Sequence, residues 1–265
     1  MKNLIPIEKL HAHTHRLFLF AGNDASEKPV FAQCHLPGSH FLTLKDDLTG
    51  DATTGKGRHP LPAMHAFSDH MMDLGLSPDT PVLIYGNGPN MFAFRLWWML
   101  KAIGVKDVVI LYDPAMHWKE QGTDAPADKP AHKGKGLSFD PRSIIEMSGV
   151  KRLIENKEAT LIDSRDKERY IGIKDEMDHK PGHIPTALSY PYEDLLTDKM
   201  PDEDTIRAHF QNLPTDKPLI IYCGSGVSAP WNILLLDEIG LQTTLYPGSF
   251  SGWIEDENNP IEKCI

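Results

Sequence analysis

The chain has no long hydrophobic run: nowhere in its 265 residues does an apolar stretch approach the ~18 that a membrane span needs. A membrane partner is therefore not expected. The opening residues, Met1-Lys2-Asn3-Leu4-Ile5-Pro6-Ile7-Glu8, also lack the apolar core of a signal peptide, so the expected location is the cytoplasm. Positive charge is in deficit. Against 37 Asp and Glu stand 27 Lys and Arg, a formal net charge of −10, and a nucleic-acid partner needs a cationic surplus. A small anionic substrate stays open, because a few arginines in one cleft can hold it whatever the global sign. Cysteine is scarce as well. Cys34, Cys223 and Cys264 make no disulfide framework, and their spacing fits no zinc site. Each has to be read on its own.

What is present repeats itself. His35-Leu36-Pro37-Gly38 in the first half is answered by His183-Ile184-Pro185-Thr186 in the second. Val82-Leu83-Ile84-Tyr85-Gly86-Asn87-Gly88 is answered by Leu219-Ile220-Ile221-Tyr222-Cys223-Gly224-Ser225. Each apolar run is short, follows a proline and ends in a Gly-containing turn, which predicts a buried strand. A helix is predicted after each (Phe92 to Ile103, Pro230 to Ile239), then a second strand (Val108 to Tyr112, Thr243 to Tyr246), with Trp118 and Trp253 just beyond. Strand, glycine turn, helix and strand make the βαβ unit of a parallel sheet. The expected architecture is therefore α/β: two domains, residues 1–120 and 141–265, each a central, mostly parallel sheet flanked by helices, with a cleft between them. Residues 121–140, rich in Ala, Pro, Lys and Gly, are expected to link them. An excursion from Thr49 to Pro62 is expected to form a surface loop bordering a cleft.

Chemistry concentrates in Cys223-Gly224-Ser225-Gly226-Val227-Ser228-Ala229, between a predicted strand and a predicted helix. A loop so placed turns backbone N–H groups inward and makes an anion nest backed by the helix dipole. A cysteine at its mouth has its pKa depressed, since those dipoles stabilise the thiolate. Gly224 and Gly226 permit the tight, partly left-handed backbone, and Ser225 and Ser228 add hydroxyl donors. The alternative is a buried structural thiol, which needs neither the glycines nor the serines.

This segment resembles the active-site loop of the rhodanese superfamily, and more closely that of its mercaptopyruvate sulfurtransferases, which read Cys-Gly-Ser-Gly-Val-Thr-Ala. Thiosulfate sulfurtransferases instead read Cys-Arg-Lys-Gly-Val-Thr-Ala. The resemblance spans nearly the whole chain. His35-Leu36-Pro37-Gly38, Leu96-Trp97-Trp98, Asp163-Ser164-Arg165 to Gly172, Gly182-His183-Ile184-Pro185 and Gly248-Ser249-Phe250-Ser251-Gly252-Trp253 all look like segments of tandem-domain members. It implies two rhodanese-like domains, the first catalytically silent, with Gly86 standing where Cys223 stands in the second. It implies that His59, in Arg58-His59-Pro60-Leu61-Pro62, approaches the active site; the alternative is a solvated loop histidine. Arg169 is implied as a ligand of the substrate anion and Arg165 as a structural or secondary contact beside it. Their spacing puts both on one face if the stretch is helical, although surface ion pairs with Asp166 and Glu168 would explain them too.

Within the loop Ser228 stands for the family's threonine, a hydroxyl for a hydroxyl, and two positions outside it also depart from the family pattern. A second arginine about nine residues after the first falls here at Asp178, and an aspartate expected in the first domain falls at Lys45, beside Asp46 and Asp47. The implied reaction is ping-pong: the Cys223 thiolate takes a sulfane sulfur from a small anionic donor and passes the persulfide sulfur to cyanide, a thiol or a thioredoxin-type acceptor. Backbone N–H groups of residues 224–228, Gly224, Gly226 and Val227 among them, would hold the anionic sulfur. No metal or organic cofactor is implied. With no charge at Gly224 and Ser225, 3-mercaptopyruvate is the expected donor, and Ser225 could pass a proton to the leaving enolate. Thiosulfate is the alternative donor, and a persulfide carrier serving one protein partner is the alternative role.

Other signals are set aside. The alternating histidines of His11-Ala12-His13-Thr14-His15 precede an apolar run and lack later ligands, which argues against a metal site. A cysteine phosphatase needs an arginine six residues after its cysteine, and that position is Ala229. Trp97 and Trp98 lie mid-helix in an α/β unit and are expected in the core. Cys34 and Cys264 precede no helix start and are expected to be incidental thiols.

Overall fold

The computed structural model describes residues 1–14, 16–125 and 132–264. The chain divides into two compact units. Met1–Gly50, Leu61–Pro141 and Asp198–Met200 make the first; Asp51–Pro60, Arg142–Thr197 and Pro201–Ile265 make the second. Among the described residues no helix is long and apolar enough to cross a membrane.

The first unit is built on β1 (Leu4–Pro6), β2 (Leu17–Gly22), β3 (His40–Thr43), β4 (Val82–Tyr85) and β5 (Val108–Tyr112), in the spatial order β1-β5-β4-β2-β3. Every pairing is parallel. The inner strand β4 is buried at all of its positions, as a strand covered on both faces must be, which is why it reads as an unbroken apolar run. The helices of this unit are α1 (Lys28–Gln33), α2 (Met64–Asp73) and α3 (Met91–Ala102). Asn90 caps α3 by accepting from the Ala93 N–H at 2.9 Å. Trp97 and Trp98 are buried on α3, in the core as expected.

The second unit repeats the plan with four parallel strands, β6 (Thr160–Asp163), β7 (Leu188–Ser189), β8 (Leu219–Tyr222) and β9 (Thr243–Leu245), ordered β7-β6-β8-β9. Its helices are α4 (Met147–Glu155), α5 (Lys167–Ile171), α6 (Glu203–His209), α7 (Ala229–Glu238) and α8 (Ser249–Trp253). The inner strand β8 lies between β6 and β9 and is buried throughout.

The repeated punctuation has a common physical cause. The tyrosine that ends each central strand reaches into the His-x-Pro turn of its own unit. Tyr85 Oη accepts from the Leu36 N–H at 2.9 Å, and Tyr222 Oη accepts from the Ile184 N–H at 3.1 Å. The turn histidines are placed alike: His35 Nδ1 lies 2.7 Å from the Phe31 carbonyl and its ring stacks on Phe31, while His183 Nδ1 lies 2.7 Å from the Tyr170 carbonyl and stacks on Tyr170. Burial of the two tyrosines pushes both phenols up, so they stay neutral hydroxyls able to accept and donate.

Two boundaries differ from the expectation. The described part of residues 121–140 packs on the first unit: the Thr123 N–H donates to His35 at 2.8 Å, the Gly134 N–H to Met72 at 2.7 Å and the Asp140 N–H to Ala102 at 2.8 Å. Residues 126–131 of that stretch lie outside the described residues. The segment Asp51–Pro60, expected as a loop of the first domain, belongs to the second unit. Its reason is local. Gly55 and Gly57 lie on Gly248 and Gly252 so closely that a Cβ on Gly57 would meet the Gly248 carbonyl oxygen at 2.4 Å, and one on Gly252 the Gly55 carbonyl oxygen at 2.9 Å. Only hydrogen side chains allow that approach.

Candidate active site

Cys223 is the first residue after β8, at the carboxyl end of an inner parallel strand, where α/β folds gather their ligands. The loop from Cys223 to Ser228 then curls into the N-terminus of α7. Its shape is held from α8: the Phe250 N–H donates to the Cys223 carbonyl at 2.9 Å and the Ser251 N–H to the Gly224 carbonyl at 2.8 Å. With those carbonyls turned outward, the following N–H groups face the sulfur. The Gly226 N–H lies 3.2 Å from Cys223 Sγ. Gly226 has φ +76°, and a Cβ there would meet the Pro247 carbonyl oxygen at 2.6 Å, so no other residue fits without moving backbone.

Burial pushes the Cys223 thiol up, but hydrogen bonds from the Ser228 hydroxyl and from the backbone N–H groups of Ala229, Ser225 and Ser228 outweigh it. The net direction is down from the usual thiol value. Ser249 completes the support: it adopts φ 53°, and its Oγ accepts from the Cys223 N–H at 3.2 Å while donating to the Tyr246 carbonyl at 3.0 Å. A non-glycine residue held in the left-handed region by bonds on both sides is local strain kept where the site needs it.

The docked segment Asp51–Pro60 delivers two side chains to this loop. His59 Nδ1 and Ser225 Oγ share a hydrogen bond of 2.9 Å. Arg58 is anchored through its N–H to Ser251 Oγ at 3.1 Å, and its guanidinium donates to Asp178 and to the Met177 carbonyl. From the other side comes Arg169 on α5, a short helix whose N-cap Asp166 accepts from the Arg169 N–H at 2.9 Å. Arg169 donates to Asp175 at 3.1 Å and to Asp178 at 2.6 Å. The two guanidinium groups converge on the residue after Cys223: a Cβ on Gly224 would lie 2.9 Å from Arg169 Nη2 and 3.1 Å from Arg58 Nη2.

The chain carries the matching family model twice. The rhodanese-like domain model fits residues 19–121 and 146–256. The chain belongs to the rhodanese family of sulfurtransferases. A Pseudomonas aeruginosa protein named "Probable 3-mercaptopyruvate sulfurtransferase" is 32% identical over 243 residues, covering 88% of this chain and 85% of its own length. The mouse thiosulfate sulfurtransferase is 29% identical over 238 residues, covering 84% and 78%. Escherichia coli SseA, solved as a 3-mercaptopyruvate sulfotransferase with the rhodanese fold, superposes with TM-score 0.77 at 25% identity, over 95% of this chain and all of that one.

Within this rhodanese frame the structure gathers most of the residues expected from sequence. Cys223, Gly224, Ser225, Gly226, Val227, Ser228, His59 and Arg169 all lie in the second unit on or against the one loop. Arg165 is engaged by other partners. The residue precedes α5 rather than sharing a helical face with Arg169, and it is buried. Its guanidinium is taken up by Asp163, by Asp175 at 3.4 Å and by the Gly182 carbonyl at 2.6 Å, and it lies over the Phe250 ring at 3.8 Å. These contacts fit the structural one of its two expected roles. Asp46 and Asp47 lie in the first unit; Asp47 accepts from the Thr43 N–H at 2.7 Å and closes the turn after β3.

The first unit's equivalent loop is closed. A Cβ on Gly86 would meet Asn90 Nδ2 at 2.3 Å and the Ala21 carbonyl oxygen at 2.9 Å, so no side chain fits where the second unit has its thiol. The alternating histidines near the N-terminus are otherwise engaged in part, with His13 Nδ1 accepting from Arg16 Nε at 2.8 Å; His15 lies outside the described residues. Among the described residues no three His, Cys, Asp or Glu side chains gather as a metal site would require. Sequence reasoning missed Arg58, Asp175 and Ser249. Arg58 carried a signal as the neighbour of His59, and Ser249 as part of the segment Gly248 to Trp253; Asp175 carried none.

Proposed function

We propose that the chain transfers a sulfane sulfur from 3-mercaptopyruvate, through a persulfide on Cys223, to a thiol acceptor such as a thioredoxin-type dithiol, with cyanide as a laboratory substitute. The observation that carries the reading is the Cys223 loop itself, where hydrogen bonds from Ser228 and backbone N–H groups bring the thiol below its usual pKa despite burial. In the first half-reaction the Cys223 thiolate attacks the donor's sulfur and the carbon–sulfur bond breaks. The electron pair leaves as the enolate of pyruvate, and one proton completes pyruvate. In this reading Ser225, hydrogen-bonded to His59, supplies that proton, and Arg169, whose guanidinium lies beside Gly224, holds the donor's carboxylate. In the second, an acceptor thiolate takes the outer sulfur and the Cys223 thiolate leaves, again bonded by the nest. A reducing cytoplasmic setting belongs to the same reading, since the resting enzyme needs a free thiol there.

One observation favours a second donor. The thiosulfate pattern places basic side chains on the loop directly after the cysteine, and here Arg58 and Arg169 bring guanidinium groups to that spot from outside. Steady-state kcat/KM for mercaptopyruvate and thiosulfate, side by side with cyanide, decides between them. A higher value for thiosulfate overturns the donor assignment. Intact mass after donor exposure tests the mechanism: wild type gains one sulfur and Cys223→Ser gains none. Loss of the adduct in Cys34→Ser or Cys264→Ser instead would move the nucleophile.

A further inference from the structure

Asp178 stands where the family pattern has a second substrate arginine, and the structure shows what it does there. Its side chain is 1% exposed, and its two carboxylate oxygens are divided between two cations: Oδ1 takes Arg58 Nη1 and Oδ2 takes Arg169 Nη2 at 2.6 Å. Its own N–H donates to Asp175 Oδ1 at 2.9 Å, and Asp175 also takes Arg169 Nε at 3.1 Å. Two guanidinium groups therefore reach Gly224, and two buried carboxylates offset their charge. A donor carboxylate arriving beside Cys223 meets Arg169 Nη2, which already holds Asp178, and Arg58 Nη2, the other arm of a fork whose Nη1 holds it.

We propose that Asp178 is a specificity-determining residue, an internal carboxylate bound in the anion site of Arg58 and Arg169 that a donor's carboxylate must displace. The inference rests on the sulfurtransfer reading above. Its physical basis is competition between like groups for the same forked donors: an acceptor already in place, at no translational cost, weakens every external anion by the strength of the contact it must give up. Arg58 has a part in this that the family pattern does not assign. It restores the second guanidinium that position 178 lacks, from a segment 120 residues away in the chain.

The test is steady-state kinetics with 3-mercaptopyruvate and cyanide for wild type, Asp178→Asn and Asp178→Glu, with pyruvate as a competitive inhibitor that carries the same carboxylate. Asparagine keeps the shape and removes the charge. Its KM for mercaptopyruvate and its Ki for pyruvate are expected to fall together by about tenfold or more, with kcat nearly unchanged, because the charge-assisted contacts of Asp178 with Arg58 and Arg169 no longer have to be broken. Glutamate keeps the charge and the high KM. In an Arg58→Ala background the asparagine substitution frees only one arginine, so the gain shrinks. Asp178→Ser, smaller and equally neutral, reads the same quantity should the asparagine variant not fold. A KM and Ki that stay level or rise in the neutral variants, with the persulfide still forming, overturn the inference and make Asp178 a brace for the two arginines. Absence of a persulfide in wild type and variants alike overturns the sulfurtransfer reading instead.

Discussion

The Ser228 hydroxyl is the largest influence lowering the Cys223 pKa, which makes Ser228→Ala the sharpest probe of how the nucleophile is activated. A hydrogen bond to a charged group contributes about 1.5–3 kcal/mol, so losing it lowers the thiolate fraction roughly 10- to 150-fold at any pH below both thiol pKa values. Rate does not fall by that much, because a more basic thiolate is also a better nucleophile, with a Brønsted slope of about 0.4–0.5. Combining the two, alkylation of the variant at low pH should be roughly 4- to 15-fold slower than wild type. Above both pKa values the thiolate is fully formed in each protein, and the variant should be the faster by a few-fold. The two pH–rate profiles must therefore cross. The assay is iodoacetamide alkylation followed by intact mass, in a background of Cys34→Ser and Cys264→Ser so that only Cys223 reports. Parallel profiles, offset by one factor at every pH, would mean that Ser228 acts on access to the sulfur and not on its proton. The same linkage sets the sign for stability. A native thiol held below its unfolded pKa adds stability in full above the unfolded value, and loses it as pH falls through the native one.

Arg169→Ala should lower kcat/KM for mercaptopyruvate by roughly one to two decades, and Arg169→Lys should recover part of it, since lysine lacks the planar fork; near-normal kinetics in the alanine variant would leave Arg169 as no more than an ion-pair partner. Arg165→Ala should act on stability instead, costing about 3–5 kcal/mol in denaturant unfolding, because Asp163 and Asp175 would keep buried charge without its counterion. Unchanged unfolding together with a raised KM would restore Arg165 to the substrate.

How much of this was legible in the sequence follows from the range of the interactions. The two-fold plan was readable because each unit repeats a local device: an apolar strand, a terminal tyrosine and a His-x-Pro turn that the tyrosine hydroxyl reaches. The Cys223 loop was readable because strand, cysteine, glycines and helix are contiguous. The surroundings of Arg169 were not. Asp178 looked like a missing arginine, and its pairing with Arg58 depends on a contact across 120 residues. Membership of Asp51–Pro60 in the second unit rests on glycines meeting glycines, Gly55 and Gly57 against Gly248 and Gly252, and periodicity carries no trace of such a contact. Arg165 was ambiguous for the same reason, since its contacts include Asp175 and Phe250, neither of them a sequence neighbour.

The closed loop of the first unit bears on how a duplicated chain can evolve. After duplication, a lost nucleophile can in principle return by one codon change. At Gly86 that path is shut, because the first atom of any new side chain collides with the Asn90 amide and with the Ala21 carbonyl. Asn90 could be traded away only at the expense of the cap on α3, and the Ala21 carbonyl belongs to β2 and moves only with the sheet. Gly86→Cys alone should thus give a protein that melts earlier and still accepts a single sulfur by intact mass; a second adduct would show the path open. Otherwise the difference between the two loops works as a ratchet, in which a thiol at position 86 can be gained only through several simultaneous changes.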